Sequence, residues 1–302
     1  MNRAWYFLPD GRLRPGWRFL ISILVIFAAS FVGFGMGRLL AGKDRALLAV
    51  ISRPLLMVLL LLAYGWMLRV FDRVPHHRPT AMGLPGGRRA IADSLFGVLL
   101  GGAMVALTVA IIGWKGDLQI SADANGIMTG RLLVEVLLVL STAAMSEEIA
   151  FRGYPFQRLI EATGPGGAIA LMAALFGAIH LGNPNASTVG FLNTMLIGIV
   201  FSVAYLRART LWLPWGMHWG WNAVLGAGIG LPVSGLDMSI GIRSQAAGPV
   251  WLTGGGYGPE ASVACTAAVI AGLVVVLLAF HRPPEPLPET PDESVAGTIQ
   301  PG

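Results

Sequence analysis

Charge and cysteine are scarce in this sequence. Charged residues make up 12% of its 302 residues, against roughly 25% in soluble domains. The one cysteine, Cys265, excludes a disulfide framework and a cysteine-based metal site. Apolar residues take their place: 55% of the chain is hydrophobic and the mean hydropathy is +0.67. This composition predicts an all-α, polytopic membrane protein embedded in the lipid bilayer.

Long apolar runs follow one another along most of the chain. A helix that crosses the hydrocarbon core of a bilayer needs about 20 predominantly apolar residues. Eight segments meet or approach that length, so the sequence predicts about eight transmembrane helices with a polar site inside their bundle. The segments are 19–40, 47–68, 91–113, 132–158, 167–182, 187–206, 211–230 and 262–280.

The basic residues indicate an orientation rather than a nucleic-acid partner. The net charge is +5, but the basic residues lie mainly in short loops between apolar runs. With a cytoplasmic N-terminus, fourteen arginines fall on the cytoplasmic side and six lysines or arginines on the outer side. We therefore expect an integral protein of a bacterial plasma (inner) membrane with both termini in the cytoplasm. Arg53, inside the second predicted span, is expected to snorkel toward the outer surface.

The apolar runs and the loops between them divide the chain into five parts. His76 and His77 lie in a basic, Pro- and Gly-containing loop and are interpreted as loop residues rather than metal ligands. The C-terminal tail is rich in proline and acidic residues and is predicted to be disordered. The parts are an N-terminal membrane anchor (1–90), a core (91–230), an outer loop (231–261), a last span (262–282) and the tail (283–302).

A pair of carboxylates stands at the end of the fourth apolar run. Glu147 and Glu148 are adjacent there, and Arg152 follows. Charged groups at membrane depth are costly and by default mark a functional site. Glu148 and Arg152 are spaced i, i+4 and can pair on a helix, while Glu147 points about 100° away. Glu147 is thus free to face a cavity, where desolvation would suit it to general-base catalysis.

Three further polar residues fall on later apolar segments. Phe176 and His180 are spaced i, i+4, and so are His218 and Asn222. At 1.5 Å per residue, Glu147 lies about 20 Å from the outer end of its span and His218 about 10 Å from the cytoplasmic end. Both positions reach a similar level in a core about 30 Å thick, so these groups can meet in one pocket.

A structural interpretation of the same residues is also open. The glutamates and the arginine could mark the cytoplasmic end of the fourth helix. The tryptophans around His218 could form an interfacial aromatic belt. Four polar groups at compatible depths on three spans favour the functional interpretation. The tryptophans are Trp212, Trp215, Trp219 and Trp221.

The three motifs together resemble those of a known family. Glu147-Glu148-x-x-x-Arg152, Phe176-x-x-x-His180 and His218-x-x-x-Asn222 are similar to the motifs of the CPBP family. That family comprises Rce1-type CAAX prenyl proteases and bacterial bacteriocin-processing (Abi) proteins. The resemblance covers about residues 91–230 and shows no departure at the motif positions.

The resemblance implies an intramembrane endopeptidase with an all-helical core and a peptide or protein substrate at the membrane, which could be prenylated. By analogy, Glu147 would activate the attacking water and His180 would position it. His218 and Asn222 would stabilise the oxyanion of the tetrahedral intermediate. Glu148 and Arg152 would support these groups.

Two alternatives remain open at this level. Glu147, His180 and His218 could instead bind Zn²⁺ with an open position for water, although a local H-E-x-x-H motif is lacking. A mechanism without a cofactor is preferred. The alternative function is a transporter or an immunity-type protein that binds peptides without cleaving them. Against a transporter, we find no internal repeat and no line of ionisable groups along a path.

Overall fold

The computed structural model describes residues 3–74, 79–115, 117–122 and 130–280. The predicted tail at 283–302 lies outside the described residues, as do His76, His77 and His281. Within the described ranges there are nine α-helices and one pair of antiparallel strands. The helices are α1 (Pro15–Ala41), α2 (Arg45–Phe71), α3 (Arg88–Lys115), α4 (Gly130–Arg152), α5 (Tyr154–Ile179), α6 (Thr188–Ala208), α7 (Trp212–Asn222), α8 (Val250–Thr253) and α9 (Val263–Ala279); the strands are β1 (Asp117–Ala122) and β2 (Ile242–Ala247).

The described helices include several that are suited to crossing a bilayer. Four of them are both long enough and apolar enough, and α9 is a shorter apolar helix. Their lipid-facing residues are large and apolar, as Phe31 and Leu39 show with more than four-fifths of each side chain exposed. The predicted all-α membrane fold is therefore confirmed, while the number of eight spans stays a prediction. The four are α1, residues 50–71 of α2, α3 and α6.

The boundary between the fourth and fifth predicted spans lies at a different residue from the predicted one. The sequence predicted one helix from 132 to 158, but α4 ends at Arg152 and α5 begins at Tyr154, with Gly153 between them. Within α5 the backbone leaves the helical region at Gly164, where φ is 78°, and Pro165 follows. Glycine tolerates this left-handed conformation and proline cannot continue the helical hydrogen bonding, so the two residues kink the chain here.

The predicted outer loop at 231–261 is partly folded. Its residues 242–247 form β2, which pairs in register with β1, from Asp117 opposite Ala247 to Ala122 opposite Ile242. The segment before it is joined to the α5–α6 connection, because the side chain of Asn183 donates to the carbonyl of Ser234. The seventh predicted span is also divided, since α7 is followed by a π-helical turn at Ala223–Ile229.

Helices α3 and α7 cross at four glycines. A Cβ atom added at Gly97 or Gly101 of α3 would lie within 3.0 Å of the α7 backbone. One added at Gly216 or Gly220 of α7 would meet the α3 backbone equally closely. Small residues spaced by four let two membrane helices approach in this way. The contact fixes α7, which carries His218 and Asn222.

The two N-terminal helices pack directly on the predicted core. Arg18 of α1 is 1% exposed and pairs with Asp72, which follows α2. Asp72 in turn accepts a 2.8 Å hydrogen bond from Arg158 of α5, and Arg158 also pairs with Glu161 at 2.8 Å. The cluster ties α1, α2 and α5 together, so the segment interpreted as an anchor is part of the helix bundle.

Candidate active site

Glu148 is the buried centre of a polar cluster. Its side chain is fully buried, and its Oε1 accepts hydrogen bonds from Arg152 Nη1 at 3.2 Å and from His218 Nδ1 at 2.9 Å. Arg152 is also fully buried and donates through Nη2 to the carbonyl of Gly198 at 2.9 Å. The i, i+4 pair predicted from the sequence is therefore formed, and it also orients a histidine of α7. Arg152 was counted among the cytoplasmic arginines but lies inside the bundle.

Aromatic rings surround Arg152 and the two histidines. The guanidinium carbon of Arg152 lies 4.6 Å from the ring centre of Phe176 and 5.4 Å from that of Phe201. Phe201 stacks on His218 with ring centres 5.2 Å apart, and Phe176 lies 4.8 Å from His180. A buried cation over ring faces is stabilised electrostatically. These rings keep solvent from the back of the cluster and fix the planes of both imidazoles.

Glu147 points in a different direction from Glu148 and makes looser contacts. Its Oε2 lies 3.8 Å from His218 Nε2, and its Oε1 lies 3.8 Å from Arg53 Nη1. Both distances are too long for hydrogen bonds. Within the described ranges the Oε2 atoms of both Glu147 and Glu148 are buried without a hydrogen-bond partner. The two glutamates differ at Oε1, which accepts two hydrogen bonds in Glu148, whereas in Glu147 it lies beyond hydrogen-bond distance of Arg53.

Hydrogen-bond partners assign the protons on the two histidines. His180, which caps α5, holds its Nδ1 2.7 Å from the carbonyl oxygen of Phe176. A carbonyl can only accept, so Nδ1 carries the hydrogen and Nε2 of the neutral ring is left as an acceptor. His218 Nδ1 likewise donates to the carboxylate of Glu148. Its Nε2 gains a hydrogen only in the imidazolium form.

One cavity of about 320 Å³ brings the predicted residues together. Its polar lining includes Glu147, His180, His218 and Asn222, which come from three separate segments of the chain. Glu148 and Arg152 stand behind this lining and do not border the cavity. The structure thus separates the six predicted residues into four that can touch a bound molecule and two that hold the others.

Arg53 was expected to snorkel toward the outer surface, which stays a prediction, and the structure adds a contact that the sequence did not predict. Its guanidinium lines the cavity beside Glu147. Three of the tryptophans interpreted as a possible aromatic belt also make internal contacts, because their indole N–H groups donate inside the protein. Their acceptors are the carbonyl of Pro85 for Trp212, the carbonyl of Ser141 for Trp215 and Glu260 Oε1 for Trp221.

Glu260 is a cavity residue that the sequence did not reveal. It follows α8, is 4% exposed, and accepts hydrogen bonds from Trp221 Nε1 at 2.9 Å, Ser234 Oγ at 2.8 Å and the Ser234 backbone N–H. Burial raises the pKa of the Glu260 carboxyl, and the hydrogen bonds from Ser234 oppose that shift. Its position in a Gly-rich segment, far from the three motifs, carried no signal of a site.

The described residues show no ready cluster of metal ligands. Within 3–74, 79–115, 117–122 and 130–280, no group of three or more His, Cys, Asp or Glu residues that could hold a metal ion is found. His218 donates from Nδ1 to Glu148, and its Nε2 lies 3.8 Å from Glu147 Oε2. The preferred mechanism without a cofactor stays a prediction.

Comparison with known proteins supports the interpretation of the motifs. A search of curated proteins gave no match. Residues 129–224 match the family model described as type II CAAX prenyl endopeptidase Rce1-like. The matched segment is about a third of the chain and contains all six predicted residues, from Glu147 to Asn222. This segment, which supplies the four predicted cavity residues and the two that hold them, is similar to the Rce1-like family of type II CAAX prenyl endopeptidases and supports an Rce1-type assignment.

Proposed function

We propose that the protein is an intramembrane endopeptidase in which Glu147 acts as the general base for the attacking water. The observation that carries the proposal is the contrast between the two adjacent glutamates. Glu148 is fully buried and its Oε1 is held by Arg152 and His218, whereas Glu147 borders the cavity and its contacts with His218 and Arg53, at 3.8 Å, are too long for hydrogen bonds. A general base must reach its proton directly, and Glu147 is the carboxylate placed to do so.

The reaction begins with a water between Glu147 and His180. His180 Nε2 accepts a hydrogen bond from this water and orients it, while Glu147 removes its other proton. The water oxygen then attacks the carbonyl carbon of the scissile peptide bond, and the carbonyl electron pair moves onto oxygen. Glu147 afterwards delivers its proton to the leaving amine nitrogen as the C–N bond breaks, so the carboxylate is regenerated.

The oxyanion formed in this step requires hydrogen-bond donors. Asn222 lines the cavity and supplies its side-chain amide. His218 supplies a second donor at Nε2 when its ring is protonated, a form that the carboxylate of Glu148 at Nδ1 stabilises. Donors fixed in advance in a water-poor site stabilise a developing charge strongly.

The substrate is a peptide segment of a protein at or in the bilayer. The cavity borders residues of both charged and apolar character, with Val139, Leu140 and Ala143 of α4 beside Glu147. An apolar wall suits a hydrophobic side chain next to the scissile bond. A prenylated, CAAX-like peptide is the substrate that the family description suggests.

Peptidase activity of the purified protein in detergent tests this proposal. A quenched-fluorescence peptide library, with and without a prenylated cysteine, is incubated with the wild type, Glu147→Ala, Glu147→Gln and a chelator-treated sample. We expect cleavage that survives chelation and is lost in both variants. Loss on chelation with recovery on added zinc would contradict the metal-independent mechanism. Binding or transport of intact peptide without cleavage would support the alternative of a non-proteolytic protein.

A further inference from the structure

Arg53 reaches the candidate active site from outside the family-matched segment. It lies on α2, whereas the match begins at residue 129. Its guanidinium borders the cavity, with Nη1 3.8 Å from Glu147 Oε1. An ionisable side chain that faces a cavity within a membrane helix is a functional candidate by default, with its partner to be named. Here the partner is the carboxylate to which we assign the proton transfer.

The other charged groups near Glu147 do not replace the contact with Arg53. Arg152 is the other arginine near the two glutamates, but it pairs with Glu148 at 3.2 Å and the pair is fully buried. His180 and His218 are cationic only when protonated. Among the described residues that line the cavity, Arg53 is the one lysine or arginine. It is therefore the permanent positive charge that borders the cavity beside Glu147, and a largely buried carboxylate without a nearby cation is costly to keep ionised.

The geometry leaves the Glu147 carboxylate open to a reacting molecule. At 3.8 Å the guanidinium and the carboxylate attract each other without a direct hydrogen bond. The Arg53 side chain is 43% exposed and that of Glu147 is 21% exposed, so Arg53 stands nearer the mouth of the cavity. A tight bidentate pair would occupy the carboxylate oxygens, whereas this looser pair leaves them open to water.

We propose that Arg53 is a positioning residue for the hydrolytic step: it provides the counter-charge that keeps Glu147 ionised and turned toward the cavity. This inference rests on the proposed function of Glu147 as the base. It gives α2 a role in the chemistry, since the site is incomplete when only residues 129–224 are considered.

Kinetics of three variants test the proposal. Arg53→Gln removes the charge, Arg53→Lys retains it, and Arg38→Gln removes an exposed arginine from the last turn of α1 as the matched control. With a cleavable peptide from the library, we expect Arg53→Gln to lower kcat by at least about 10-fold, with a much smaller change in KM. Arg53→Lys should recover most of kcat, and Arg38→Gln should match the wild type. Equal kcat values for wild type and Arg53→Gln would overturn the proposal.

A thermal double-mutant cycle tests the pair without relying on activity. Melting temperatures in detergent are measured for the wild type, Arg53→Gln, Glu147→Gln and the double variant. If the two side chains interact, the single effects will not add, because either substitution already removes the contact. Additive shifts would show that the pair is absent in solution and would overturn the inference. This measurement stays decisive even if no peptide is cleaved, which would instead contradict the proposed function.

Discussion

His218 donates a 2.9 Å hydrogen bond from Nδ1 to Glu148, and this bond determines what the other ring nitrogen can do. With the ring oriented in this way, Nε2 lies 3.8 Å from Glu147 Oε2, and both residues line the cavity. The same carboxylate oxygen of Glu148 also binds Arg152. The buried carboxylate of Glu148 thus sets the positions of the Arg152 guanidinium and of the His218 imidazole. Its neighbour in sequence, Glu147, is the glutamate to which we assign the catalytic step.

The two glutamates should therefore differ in their effect on stability. Glu148→Gln leaves Arg152 without its counter-ion in a fully buried position, and breaking a buried ion pair costs about 3–5 kcal/mol. We expect a clearly lower melting temperature for Glu148→Gln and a much smaller change for Glu147→Gln, because Glu147 is partly exposed and its ion-pair distances are 3.8 Å. Thermal unfolding of both variants in detergent checks this. Equal shifts in melting temperature would contradict the assignment of a structural role to Glu148 and a catalytic role to Glu147.

Asn222 should affect the rate and leave the fold unchanged. Replacing it with leucine keeps the approximate size of the side chain but removes the amide donor from the cavity. Loss of one oxyanion donor costs about 10²- to 10³-fold in kcat in other hydrolases, and we expect a fall of that order. Steady-state kinetics, with KM and the melting temperature as controls, measure it. A raised KM with an unchanged kcat would assign Asn222 to substrate binding instead.

The glycine contact between α3 and α7 should be needed for activity. Gly220→Ala places a methyl group within 3.0 Å of the Val98 backbone. Overpacking of this kind costs about 1–3 kcal/mol, and it should displace His218 and Asn222. Gly35→Ala is the matched control, because no atom lies within 4 Å of a Cβ added at Gly35. We expect Gly220→Ala to lose both melting temperature and kcat, and Gly35→Ala to lose neither; similar behaviour of the two variants would count against this packing.

The parts of the site that could be predicted are those set by local helix geometry. The spacing of Glu148 and Arg152 predicted their pairing, and depth along the spans predicted that Glu147 and His218 reach one level. Both follow from the rise and turn of an α-helix, which need no knowledge of neighbours. The all-α membrane fold followed in the same way from the apolar runs.

The parts that were missed depend on contacts distant in sequence. Arg53 and Glu147 are 94 positions apart, and nothing in the sequence shows which face of α2 packs on α4. Glu260 and the β1–β2 pair lie in segments whose glycines and short length resemble open loops. The break at Gly153 was missed because the apolar pattern continues through it. Hydrophobic periodicity predicts that a segment forms a helix, but it does not predict which other helix that segment contacts. These features depend on such contacts.

The walls of the cavity have a consequence for how its selectivity can change. Ser234, Leu236, Met238 and Glu260 border the cavity from a segment that carries none of the six motif residues. Part of the cavity lining is thus encoded apart from the motif residues. Under the proposed function, we expect exchange of the segment 231–261 between homologous proteins, with Glu260 retained for its bond to Trp221, to change which peptides are cleaved.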